Sequence, residues 1–419
     1  MILTGLGTVS DTGETPRGRE TPPRILLIFL RLGLTSFGGP TAHVGYYHQE
    51  FVSRRRWLGE TDFANLLAMS QFLPGATSTQ VAVAIGMLRG GVAGGVAAFL
   101  GFVLPSAALM IAFAYGLAAL GGVDVAGWLA GLKVAAVAVV ARAVLTMART
   151  LCPDRARATL AVAAAIGVLA WPGPLGQLGA ILIGGVIGWR LLGADGDDKA
   201  AQGAKTVLPG GRGFALVSLA LFAALLIGLP VLAQLVPSQT LAQIDAFYRS
   251  GALVFGGGHV MLPLLEAEVV PPGWIAHETF IAGYGAAQAL PGPLFTFASF
   301  LGVAMTPAAG EALSGGVAGG LICLAAIFLP SVLLVFAVLP FWSRLAAYRA
   351  MRAAMRGINA AVVGLLLAAL YDPVWINAID GPATFALAAA AFAALHLWKA
   401  PPWAVVIACA AGGAGLAAL

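Results

Sequence analysis

Phe37-Gly38-Gly39-Pro40 and, further on, Gln71-Phe72-Leu73-Pro74-Gly75 interrupt runs of sequence that are otherwise apolar. Both interruptions return in the second half as Phe255-Gly256-Gly257-Gly258 and Gln288-Ala289-Leu290-Pro291-Gly292. Gly and Pro free backbone polar groups that hydrocarbon cannot satisfy. Non-helical backbone at membrane depth is tolerated only where it is buried in protein or lines a polar cavity. The four breaks therefore mark where a polar substrate would be held.

Working outward, the 419 residues are 60% hydrophobic and only 10% charged, against about 25% charged in soluble proteins. Apolar runs long enough to cross a bilayer as helices recur along nearly the whole chain. The fold class is all-α, a polytopic integral membrane protein, and an ordinary soluble enzyme is excluded. The formal charge of +5 is concentrated in a few connecting loops. It reads as orientation signal and lipid-bilayer contact, and no basic stripe with interleaved aromatics suggests nucleic acid. Cys152, Cys323 and Cys409 are isolated in or beside apolar sequence. Without CxxC spacing they read as packing residues, and neither a metal nor another cofactor is expected. Residues 1–23 lack an apolar signal-peptide core and read as a disordered cytoplasmic tail.

Self-similarity is the strongest organising signal. Arg31, Phe37-Gly38-Gly39 and Glu50 fall on Arg249, Phe255-Gly256-Gly257 and Glu268 at one constant offset. With one residue removed, Trp57, Gln71 and Leu73-Pro74-Gly75 fall on Trp274, Gln288 and Leu290-Pro291-Gly292; further on, Leu104-Pro105-Ser106 meets Leu329-Pro330-Ser331. The repeats span residues 24–192 and 242–419. Between them, a region over 193–241 holds a polar linker and an unpaired apolar helix at 214–236.

Six segments per repeat plus the unpaired helix give about thirteen transmembrane helices. The odd helix places the two repeats in inverted orientation, a transporter architecture whose broken helices meet near the membrane midplane. With a cytoplasmic N-terminus and an external C-terminus, most Lys and Arg fall in cytoplasmic loops, as the positive-inside rule asks. Arg54-Arg55-Arg56 disagree: they lie outside if the first segment spans fully, which is the arrangement expected here. A first segment turning back at Gly38-Gly39 would resolve the conflict.

A helix restarting after a Gly or Pro break presents unpaired amides and the positive end of its dipole, together an anion site. Gly75 precedes Thr77 and Ser78, and Gly292 precedes Thr296, so hydroxyls can add to the freed amides. The plainer alternative is a kink filled by Ser and Thr bonding back within the helix. Arg31 and Arg249 precede the Gly-Gly breaks inside apolar helices, where a cation suits a dianion; snorkelling to the interface is the alternative. His43, Glu50, His259 and Glu268 follow those breaks and are candidate proton carriers. Gln71 and Gln288 offer neutral donors. The expected substrate site thus comprises Arg31, Phe37, Gly38, Gly39, Gln71, Pro74, Gly75, Thr77, Ser78, Arg249, Gly256, Gly257, Gly258, Gln288, Pro291, Gly292 and Thr296.

The run from Phe37-Gly38-Gly39-Pro40 through Trp57, Gln71-Phe72-Leu73-Pro74-Gly75 and Gly90 to Gly95 resembles the chromate ion transporter family. The run from Phe255-Gly256-Gly257-Gly258-His259 to Leu290-Pro291-Gly292-Pro293 resembles that family's other domain. The resemblance covers residues 24–419 and corresponds to the long, two-domain form. It implies a bacterial or archaeal inner-membrane protein that exports chromate, with sulfate as the structural analogue; a homodimer is left open. The expected mechanism is alternating access driven by potential or proton exchange. Uptake or exchange of sulfate or another oxyanion is the alternative within transport. An intramembrane enzyme, for which no HExxH, GxSxG or P-loop appears, and a non-transporting membrane protein are the alternatives of another class.

Overall fold

The computed structural model describes residues 19–119, 126–192, 212–255, 257–345 and 348–417. Gly256, residues 1–18 of the expected tail and 193–211 of the expected linker lie outside the described residues.

The first half contains α1 (Pro22–Thr35), α2 (Gly39–Tyr47), which runs on as a wider coil over His48–Arg54, then α3 (Glu60–Phe72) and α4 (Thr77–Ala119). It continues through α5 (Ala126–Leu151), α6 (Arg155–Ala170) and α7 (Pro174–Leu191) to the unpaired α8 (Arg212–Leu235). The second half repeats the order. It has α9 (Gln239–Leu253), α10 (Met261–Val269) entered by a tight turn at Gly258–Val260, α11 (His277–Ala287), and α12 (Phe297–Ala304) entered by a second turn at Leu294–Thr296. α13 (Gly316–Val338), the short α14 (Trp342–Leu345), α15 (Arg349–Ala369), α16 (Pro382–His396) and α17 (Pro402–Ala417) complete it. Among the described residues, six helices are long and apolar enough to cross a membrane: α4, α5, α7, α8, α13 and α15, the last two with the residues that follow them.

α4 is two arms. Gly90 and Gly91 leave helical geometry, Gly91 at φ +65°, and the arms 77–89 and 92–119 fold back on each other so that Gly86 backs onto Gly94. Small residues at that crossing let the backbones approach as membrane helices do.

This hairpin fixes the course of everything before it. The Glu20 amide donates to the Arg89 carbonyl (2.9 Å), so the start of α1 lies at the Gly90 turn. α1 then descends beside the second arm, with Gly33 against the backbone of Gly101 and Phe102. After the Gly38-Gly39 break the chain climbs back: Tyr47 and Phe51 pack on Phe29, Phe51 stacks on Trp57, and Trp57 lies 5.2 Å beneath the Arg89 guanidinium. Residue 57 is therefore at the same end as residue 20. The first segment does not span, contrary to expectation; it is a re-entrant hairpin. α3 and the first arm of α4 form a second hairpin, turning at Leu73-Pro74-Gly75. The second repeat does the same from the opposite end. The Glu311 carboxylate accepts the amides of Gln239 and Thr240 (2.9 Å each), and the Thr306 amide donates to the Trp274 carbonyl (3.0 Å), so these two hairpins also begin and end together.

The halves are antiparallel where they meet. Along the second arm of α4 and α13, Phe99 faces Phe328 (5.4 Å between rings), while Gly316 faces Tyr115 and Gly95 faces Phe336. Turning two segments of each repeat into hairpins lowers the count of crossings below thirteen. It removes an even number from each repeat, so the inversion survives. It also removes the charge conflict, because Arg54-Arg55-Arg56 now share an end with Arg89, Arg155, Arg157, Arg190 and Lys399. The described loops at the other end carry no Lys or Arg.

Candidate functional site

The four breaks meet in the middle of the molecule, each repeat bonding the other. The Gly75 amide donates to the Val254 carbonyl (2.6 Å), just before the second Gly-Gly break. Reciprocally, the Gly292 amide donates to the Ser36 carbonyl (2.9 Å), just before the first. The two Leu-Pro-Ser sequences join in. The Ala76 amide donates to Ser331 Oγ (3.0 Å), while Ser106 Oγ shares a 2.7 Å bond with Thr296 Oγ1, whose own proton goes to the Pro293 carbonyl (2.8 Å). A Cβ at Gly75, where φ is +121°, would overlap Ser331 Oγ, and one at Gly292 would lie 2.9 Å from Ser106 Cβ. Glycine at these positions thus serves close backbone approach between repeats. Pro105 and Pro330 sit inside their helices. Ser106 and Ser331, beside them, reach across to the other repeat, where Ser331 satisfies the Ala76 amide left free at the Pro74-Gly75 break.

That arrangement redistributes the expected site. The amides of Gly75 and Ala76, expected to face an anion, are taken by the cross-repeat bonds. Pro74 accepts from Gln80 Nε2 (2.7 Å), Ser78 and Pro291 are buried, and Thr77 is half-buried; none of them lines the cavity described below. Gln71 is exposed and Phe37 half-buried, both away from it. His43 is fully buried with Nε2 against the Ser36 carbonyl (3.1 Å), where it braces the first break. Arg249 is held by Asp245 (3.0 Å from Nε) and Glu268 (2.6 Å from Nη1), so its charge is already answered. Arg31 is exposed and lies in a separate groove with Glu50.

A cavity of about 260 Å³ remains, lined by Gly38, Gly39, Gly257, Gly258, His259 and Gln288 from the breaks, by Val139, Arg142, Ala143, Thr146 and Met147 of α5, and by Leu395 of α16 and Pro402 of α17. Gly39 (φ +74°) and Gly257 (φ +137°) each lack any atom within 4 Å of where a Cβ would point. Their missing side chains leave open space at the cavity wall. His259 Nδ1 shares a hydrogen bond with the Tyr284 hydroxyl (2.8 Å), and Gln288 Nε2, buried beside the same hydroxyl, makes no hydrogen bond of full geometry. Arg142 has no carboxylate partner among the described residues. A cation at the wall, an amide donor beside it, and the starts of two helical stretches entering from opposite halves suit a small anion.

Sequence reasoning overlooked Arg142, although its signal was present: a single cation in the apolar run Val134 to Met147. Asp245 and Tyr284 were overlooked as well. Nothing in their neighbourhood along the chain points to Arg249 or His259.

The sequence matches the family described as chromate transporter over residues 23–189 and 241–414. It is 30% identical to a chromate transport protein of Pseudomonas aeruginosa, over 94% of this chain and 91% of that one. It is 25% identical to a chromate transport protein of Cupriavidus metallidurans (86% and 84% covered), and 24% identical to an uncharacterized transporter of Methanocaldococcus jannaschii (84% of each). No solved structure matches the chain. An all-α, multi-pass membrane protein with two matched halves, aligned over nearly its whole length with named transporters, this chain belongs to the chromate transporter family.

Proposed function

We propose that the protein is a secondary transporter that exports chromate, or a related tetrahedral oxyanion, across the inner membrane by alternating access. The observation that carries this is Arg142: a cation with no carboxylate partner among the described residues, lining a cavity that the Gly-Gly breaks of two antiparallel repeats also border. Antiparallel repeats bonded through equivalent breaks can rock about those bonds, opening the shared site first to one end and then to the other.

The positive-inside rule assigns the arginine-rich end, where α1 starts beside Arg89, to the cytoplasm. An inside-negative potential then favours export, by about 2.3 kcal/mol per charge per 100 mV, or about 4.6 kcal/mol for a dianion. Proton exchange would add to this. Among the expected carriers only His259 lines this cavity, and its Nδ1 shares a hydrogen bond with the Tyr284 hydroxyl, so the proton role falls to this pair. Substrate contacts fall to Arg142, Gln288 Nε2 and the backbone of Gly38, Gly39, Gly257 and Gly258.

The test is uptake of labelled chromate and sulfate into sealed inverted vesicles. Arg142→Gln should cut the rate by about tenfold or more, since one charge-assisted contact contributes about 1.5–3 kcal/mol. Arg142→Lys should retain part of it, and dissipating the potential should slow the native protein. Full transport by Arg142→Gln, or flux indifferent to both potential and pH gradient, refutes the reading. Competition between chromate, sulfate and molybdate ranks the substrates.

A further inference from the structure

The repeats treat one inherited pair of charges in opposite ways. Arg31 and Glu50 occupy the positions of Arg249 and Glu268. In the second repeat the guanidinium lies between two carboxylates, because Asp245 stands where the first repeat has Leu27. That cluster is closed and has one negative charge in excess. In the first repeat Glu50 turns to Arg54 (3.0 Å) and Arg55 (2.7 Å). Arg31 has no carboxylate partner among the described residues, and the cluster has two positive charges in excess.

The cationic cluster opens onto a groove of about 520 Å³, distinct from the Arg142 cavity and sharing no residue with it. Arg54 and Arg55 stand at its outer end, near Trp57. Arg31 lies further along α1, and Thr35, one residue from the Ser36 carbonyl that receives Gly292, stands at its inner end. Three guanidiniums with a single carboxylate among them leave fork donors unused, and those forks match the oxygens of a tetrahedral dianion.

We propose that this groove is a second oxyanion site, loaded from the end where α1 starts, which holds a tetrahedral dianion between Arg31, Arg54 and Arg55 before it enters the cavity. It rests on the reading of the protein as an oxyanion transporter. The opposite sign of the equivalent cluster in the second repeat gives the anion an attractive entry on one side and a repulsive exit on the other.

The experiment is equilibrium binding of labelled sulfate to the full chain in nanodiscs of zwitterionic lipid, in the Arg142→Gln background that removes the cavity's cation. Saturable, salt-sensitive binding should persist there and weaken about tenfold with Arg31→Gln, the loss of one charge-assisted contact. With Arg142 intact, Arg31→Gln should raise the KM for uptake into inverted vesicles about tenfold and leave Vmax nearly unchanged. Size-exclusion profiles identify any variant that has not folded, and Arg31→Lys, which keeps the charge, should restore part of the binding. No saturable sulfate binding in the Arg142→Gln background overturns the proposal. So does binding of anionic lipid, read by native mass spectrometry, that depends on Arg31 while sulfate does not bind. Transport lost with Arg142→Gln while Arg31→Gln changes neither binding nor KM would leave the Arg142 site standing and remove only the groove.

Discussion

Gly39 and Gly257 are the positions where a single added side chain should separate folding from function. Both have positive φ, where a non-glycine residue costs about 1–3 kcal/mol, yet a Cβ at either meets nothing within 4 Å. Gly39→Leu and Gly257→Leu should therefore insert and purify as monodisperse protein while filling the cavity, with oxyanion uptake abolished. Transport at the native rate by both would show that the anion passes elsewhere. Gly75 makes the contrast: the same change there meets Ser331 and should lower thermal stability as well as transport. Charge at this scale was only half legible. That an arginine inside apolar sequence matters follows from the cost of placing it there. Whether it lines a cavity, like Arg142, or meets two carboxylates, like Arg249, depends on residues far away along the chain.

At the scale of elements, the breaks act as fasteners between repeats. Ser331→Ala leaves the Ala76 amide without its partner, and an unsatisfied buried donor costs about 1–3 kcal/mol. A drop in the detergent melting temperature relative to an exposed Ser→Ala control checks this, and no drop would mean that the amide finds another acceptor. A fastener within the second half lies at the start of α9. Accepting the Thr240 and Gln239 amides holds the Glu311 carboxyl below the usual carboxylate range. A carboxyl lowered in the folded state contributes stability above its unfolded pKa and loses it as pH falls through the folded value. Glu311→Gln should thus lower the melting temperature at neutral pH, and the gap to the native protein should close on acidification below that range. A gap that stays constant with pH would assign the effect to packing alone.

For the whole molecule, the re-entrant hairpins make a topological prediction. In a Cys152→Ser background, Glu20→Cys and Arg56→Cys should react with a membrane-impermeant maleimide from one side, and Gly273→Cys from the other. Labelling of positions 20 and 56 from opposite sides would restore a spanning first segment. The hairpins also show how this fold accommodates irregular backbone in a bilayer. Each break is covered by the other repeat, so the polar groups of Ser36, Gly75, Val254 and Gly292 satisfy one another at a shared centre.

The sequence by itself determined the class, the internal repeat, its inversion and the positions of the breaks. These follow from local properties: apolar length, the odd helix α8, and the cost of Gly and Pro in hydrocarbon. Only the tertiary structure decided what the chain does after each break. Gly38-Gly39 at positive φ can continue or reverse a helix, and the reversal is selected by distant packing of Phe51 on Phe29 and of Trp57 beneath Arg89. The same holds for the site. Gly75 and Gly257 have the same standing in the sequence, but one is filled by Ser331 from the other repeat and the other borders the cavity facing Arg142, because close approach between remote segments is set by the assembled fold.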